Sequence, residues 1–176
     1  VRSRGLGDVY KRQALALMET SDTVGNLYFV LEYTGVLLAA TVGGTVAKRM
    51  NFDIVGFAFI AYISSLSGGF MRDAILNDGP AAALTNPGYL ITATVGAAIA
   101  YTVNLHGRLW ERFRFYADVV TIGVWAVAGT LKGLLADLNW VPCLLLAVIT
   151  ATGGTLARDI VLRLSLIHIS EPTRPY

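Results

Sequence analysis

Cysteine and histidine are nearly missing from this 176-residue chain, which holds one cysteine, Cys143, and two histidines, His106 and His168. A lone cysteine excludes an intrachain disulfide, and so few imidazoles leave no Cys/His cluster with metal-ligand spacing. Charge is scarce too, at 15% of residues. No Ser/His/Asp set is present, and no glycine loop follows a strand. The Gly43-Gly44 pair lies inside an apolar run, so it is not a nucleotide loop. These absences argue against an enzyme and against a bound cofactor.

The two ends differ in character from the rest. Leu164–Arg174, "LSLIHISEPTR", resembles the translation of a sequencing-library transposon adapter. Ser3–Gln13, "SRGLGDVYKRQ", resembles the translation of the reverse complement of that adapter. Residues 1–13 and 164–176 are therefore set aside as adapter read-through. Their removal takes away Arg2, Arg4, Lys11, Arg12 and Arg174 against Asp8 and Glu171, and the net charge moves from +2 to −1. No argument for nucleic-acid binding from basicity survives.

What the chain has in abundance is apolar residues, 55% with a mean hydropathy of +0.57. That is too apolar for an ordinary soluble domain. They come in five runs of roughly the 20 residues needed to cross a bilayer: Leu27–Ala47, Ile54–Leu76, about Gly88–Leu105, Ala117–Ala136 and about Trp140–Leu162. None alternates as barrel strands do, so an all-α integral membrane protein is expected. Lys48 and Arg49 follow the first span, and Arg108, Arg112 and Arg114 follow the third. Two crossings separate these loops, which puts both on one side. Basic loops are cytoplasmic, so the N-terminus is expected outside. Trp110 and Trp140 sit near span ends, where aromatic belts form.

The motif in "SSLSGGFMRDAI" recurs in "ATGGTLARDIVL". Arg72-Asp73 and Arg158-Asp159 are 86 residues apart, and one span earlier Gly44-Thr45 matches Gly129-Thr130 at an offset of 85. The chain thus holds a duplication of about three spans. Three is odd, so the second copy crosses in the opposite sense, an inverted repeat of the kind associated with ion and solute pathways. Repeat 1 and its basic loop occupy 14–116, and a truncated repeat 2 of two spans occupies 117–163. Glycine weakens a helix by roughly 1 kcal/mol and allows bends or close approach. Two readings follow for the glycine pairs. They kink spans two and five and free carbonyls in a watered cavity, or they are packing notches. The buried charges need a cavity or a partner. Since neighbours on a helix do not face each other, Arg72 is expected to pair across the pseudo-twofold with Asp159.

The Gly-Gly-x-x-Arg-Asp segment after the "KRMNFDIVG" turn, with "ADVVTIGVWAVAGTLKGLL" later, resembles the bacterial members of the trimeric intracellular cation (TRIC) channel family. Some members of that family carry a "glycine transporter" domain label. The resemblance covers residues 27–163. It implies seven spans, a homotrimer with one pore per subunit, and selectivity for monovalent cations such as potassium. It implies that kinked spans two and five line the pore at Ser67, Gly68, Gly69, Gly153, Gly154 and Thr155. Arg72, Asp73, Arg158, Asp159 and Lys132 would carry charge and gating. The chain departs from the pattern after span five, so spans six and seven are expected to be missing. The implied site is a bacterial plasma membrane, with cations and lipid as partners. The alternative is a secondary transporter of a small amino acid such as glycine, with Arg72 or Arg158 holding the carboxylate.

Other polar residues read more plainly. Lys132 either faces the pore or snorkels to the outer interface. Glu32 either contacts a cation path or reaches the outer headgroups, and the second is the expected reading. Asp118 reads as a first-turn acid complementing its helix dipole, His106 as solvated, and Cys143 as a small packing residue.

Overall fold

The computed structural model describes residues 2–77, 79–102 and 108–162, with side chains from residue 25 onward except at 108–111 and 113. Among these residues there are six helices and no strand: α1 Arg2–Arg49, α2 Ile54–Leu76, α3 Ala82–Thr85, α4 Pro87–Thr102, α5 Arg108–Leu135 and α6 Trp140–Val161. The fold is all-α and membrane-spanning. Four segments are long and apolar enough to cross a bilayer: Gly25–Arg49, α2, Arg114–Leu135 and α6. The expected third span is α4, whose 16 described residues reach about 24 Å at 1.5 Å per residue. His106, Arg163, the tail from 164 and the side chains of Arg108 and Trp110 lie outside the described residues. α1 runs back to Arg2, through the segment set aside above.

The helix ends show the duplication directly. After α1 the chain turns on Asn51 at φ 57°, and the Phe52 amide returns to the Ala47 carbonyl. After α5 it turns on Asp137 at φ 54°, and the Leu138 amide returns to the Gly133 carbonyl. Both are helix stops built on a left-handed residue that recovers orphaned carbonyls. They sit 86 residues apart. Asp53 then caps α2 by accepting from the Gly56 amide at 3.0 Å.

Small residues let the helices approach, as expected where lipid supplies no hydrophobic drive between them. Gly43 of α1 lies against Ser64 of α2, and Gly129 of α5 lies 2.8 Å from the Thr150 hydroxyl of α6, measured from where a Cβ would stand. This contact fixes the repeat register at 86 throughout and corrects the offset of 85 for spans one and four. Gly44 is occupied elsewhere, against Ala100 of α4. Ala40, Ala93 and Ala128 are fully buried in a core that also takes Val36, Tyr89 and Trp125.

The two copies meet where α2 crosses α6. A Cβ on Gly68 would run into the Thr150 carbonyl, and one on Gly154 would run into the Ser64 carbonyl. These contacts interchange when each residue is replaced by its counterpart 86 positions away. Only an antiparallel crossing with a pseudo-twofold at its centre gives that pattern, and it places the second copy upside down. α2 and α6 run as unbroken helices through their glycines, so no helix break accompanies the expected bend.

Candidate functional site

Two cavities flank the crossing, the larger lined by Arg158 and the smaller by Arg72. The larger, of about 20 Å³, lies between α1, α2, α5 and α6 and is lined among others by Ser64, Gly68, Asp118, Thr150, Thr155 and Arg158. The smaller, of about 10 Å³, is lined among others by Glu32, Gly69, Arg72, Asp73, Ala82 and Tyr89. Ser65 and Trp125 line both. A water-sized particle needs on the order of 10–15 Å³ of such space, so the larger cavity has room for one and the smaller is at the limit.

Charge in the first copy is locked. The Arg72 guanidinium donates to Glu32, and its Nε donates to Asp73 Oδ1 at 2.8 Å. The Tyr89 hydroxyl donates to the other Glu32 oxygen, and the guanidinium lies over the Tyr28 ring at 5.7 Å. Asp73 Oδ2 accepts from the Ala82 amide at 2.9 Å, which starts α3. Arg72 and Glu32 are each only 1% exposed. Every charge in this cluster has an opposite charge and a hydrogen bond, the condition for ions to be tolerable away from water.

This arrangement corrects three expectations. Glu32 does not reach for headgroups; it is buried against Arg72. Arg72 does not pair with Asp159. The antiparallel crossing sets Asp159 roughly 20 Å away along the helix axis, at 1.5 Å per residue, and the flexible stem of Arg72 folds back onto Asp73 instead. Asp118 is not a first-turn acid, because α5 begins ten residues earlier at Arg108.

The second copy repeats the pattern in looser form. Arg158 Nε donates to Asp159 Oδ1 at 2.8 Å, with side chains 14% and 19% exposed. At the 86-residue offset Asp118 stands where Glu32 stands. It lines the larger cavity with Arg158 but forms no hydrogen bond or ion pair among the described residues.

The remaining expected residues divide by position. Ser67 donates to the Ile63 carbonyl at 2.6 Å and lies 3.4 Å from the Gly153 carbonyl across the crossing. Gly68, Gly153 and Gly154 are contact residues of that crossing, while nothing stands within 4 Å of a Cβ on Gly69. Lys132 lies in the last turn of α5 and lines neither cavity. Residues that reasoning from sequence missed are Ser64, Ser65, Tyr89 and Trp125, together with the pairing roles of Glu32 and Asp118. One signal was available: extending the 86-residue offset backwards lays Glu32 on Asp118.

The family model described as "Glycine transporter" matches residues 29–104 and 115–173. A UPF0126 membrane protein of Deinococcus radiodurans is 26% identical over 131 residues, covering 74% of this chain and 61% of that protein. The UPF0126 inner membrane protein YadS of Escherichia coli is 25% identical over 138 residues, covering 78% and 67%. Among solved structures, the TRIC trimeric intracellular cation channel orthologue from Rhodobacter sphaeroides superposes with a TM-score of 0.73 at 25% identity, covering 82% of this chain and 75% of that one. A prokaryotic TRIC channel in 0.5 M KCl gives 0.71 at 21% identity over 82% and 75%. The chain therefore spans less than two thirds of the Deinococcus relative.

Proposed function

The chain belongs to the glycine-transporter family of membrane proteins, and on that premise we propose that it conducts monovalent cations, potassium foremost, across a bacterial inner membrane. The observation that carries the reading is the pair of small cavities beside the crossing of the inverted halves, mainly apolar in lining but each presenting hydroxyl and charged side chains, with Ser65 and Trp125 lining both. The path runs past Ser67, Gly68 and Gly69 of α2 and past Gly153, Gly154 and Thr155 of α6. Hydroxyls and carboxylates along it stand in for part of an ion's hydration shell. Arg72 and Arg158 do not repel the ion, because Glu32, Asp73 and Asp159 neutralise them. Likeness to the trimeric intracellular cation channel orthologue of Rhodobacter sphaeroides supports assembly as a homotrimer.

The family description invites a second reading, transport of glycine. Cavity size favours the ion: space for one water-sized particle accepts a bare potassium ion, which is about that size, and not an amino acid of five heavy atoms. The basic residues Lys48, Arg49, Arg112 and Arg114 favour a cytoplasmic position for their shared side, with the N-terminus outside. Exposed apolar side chains such as Phe59, Leu145 and Val148 face lipid. Lys132, partly buried in the final turn of α5, extends its ammonium toward the outer headgroups.

Proteoliposomes holding the full-length protein test the reading. A potassium gradient should drive a valinomycin-independent flux that sets the membrane potential, with no saturable glycine uptake. Glycine uptake without potassium flux would reverse the choice.

A further inference from the structure

We infer that Asp118 and Ser64 form a cation-binding subsite in the larger cavity, with Arg158 as a tethered cation competing for the same carboxylate. The inference rests on the proposed cation path and names where on it an ion pauses.

Two independent observations converge on that cavity. Asp118 presents a carboxylate without hydrogen bond or ion pair among the described residues, although its counterpart Glu32 has both Arg72 and Tyr89. Ser64 is 6% exposed, and its hydroxyl is a buried polar group with no hydrogen-bond partner among the described residues. Other hydroxyls around the cavity are spent on their own helices: Thr121 on the Ala117 carbonyl, Thr150 on Leu146 and Thr155 on Thr152. A buried hydroxyl left unpaired costs about 1–3 kcal/mol, so a ligand that it meets is favoured. A lone acid and a lone hydroxyl oxygen suit a hard cation with oxygen preference.

Arg158 gives the subsite its control. It lines the same cavity as Asp118 and carries the opposite charge. With Arg158 held by Asp159, the Asp118 carboxylate is available to an ion. If Arg158 turns to Asp118, it fills the subsite itself. The first copy shows that closed arrangement, with Arg72 seated on Glu32.

Thallium(I), a potassium surrogate and heavy-atom quencher, provides the test. Trp125 lines the cavity, and it is isolated by Trp110→Phe and Trp140→Phe in the full-length protein. Thallium acetate should quench its fluorescence saturably. Asp118→Asn should raise the half-saturating concentration about tenfold, with Asp118→Glu recovering most of it. Ser64→Ala should raise it less, and Arg158→Gln should lower it. Asp137→Asn, in the α5–α6 turn, should leave it unchanged. Unsaturable quenching, or a midpoint unmoved by both Asp118→Asn and Ser64→Ala, overturns the subsite. Potassium flux is measured on the same preparations. Flux without saturable quenching sinks the subsite and spares the channel reading; saturable quenching without flux does the reverse.

Discussion

Glu32 and Asp118 occupy the same place in the two copies and face different surroundings. Glu32 is sealed in with Arg72 and Tyr89, so removing its charge strands a buried guanidinium that only Asp73 still offsets. Breaking such a pair costs about 3–5 kcal/mol, and with Asp73 remaining the lower end is expected. Glu32→Gln should therefore lower the unfolding midpoint of the detergent-solubilised protein markedly. Glu32→Gln with Arg72→Gln should be milder than the sum of the two changes by about 1 kcal/mol or more, the coupling expected of residues in one network. Asp118→Asn, which strands nothing, should leave stability close to that of the parent. The sequence displayed all of these residues but not their partners. An arginine beside an aspartate says nothing about a glutamate forty positions away until α1 is laid along α2. The offset that equates Glu32 with Asp118 was legible, whereas the depth of Glu32 was not.

At the scale of the element, α2 and α6 are defined by how closely they touch. Gly68 and Gly154 each receive a backbone carbonyl of the other helix, and a carbonyl cannot step aside as a side chain can. Gly68→Ala should destabilise the crossing by about 1–3 kcal/mol, the usual cost of forcing volume into a packed interface. Gly69→Ala, with open space where its methyl would stand, should leave the unfolding midpoint level with the parent or slightly raised, since alanine is the better helix former. Thermal unfolding of the two neighbours in one preparation checks the contrast. Spans and repeat were readable because hydropathy and the Arg-Asp motif survive duplication. The division of labour within Gly68-Gly69 was not, because it depends on which side of α2 meets α6. The register error at Gly44 arose similarly: on paper the Gly-Thr dipeptide matches Gly44 to Gly129, and only the contact with Ser64 chooses Gly43.

At the scale of the whole molecule, inversion brings unlike surroundings to like residues. Antiparallel crossing sends the Arg72 cluster to one side of the membrane and the Arg158 cluster to the other, with Ser65 and Trp125 between them. A path through this point must pass the Trp125 ring, so Trp125→Ala should raise unitary conductance in planar bilayers; unchanged conductance would place the path elsewhere. Ser65 allows the most direct trial of the central claim, because it is buried and lines both cavities. Cys143, the chain's only cysteine, is itself buried, and it is replaced by alanine as background. The measurement is potassium current through full-length Ser65→Cys protein before and after a cationic methanethiosulfonate reagent, with Val148→Cys, exposed on α6 and lining neither cavity, alongside. Current through Ser65→Cys should fall about tenfold or more on modification while Val148→Cys is unaffected. Reagent-modified Ser65→Cys that conducts as before would contradict the claim.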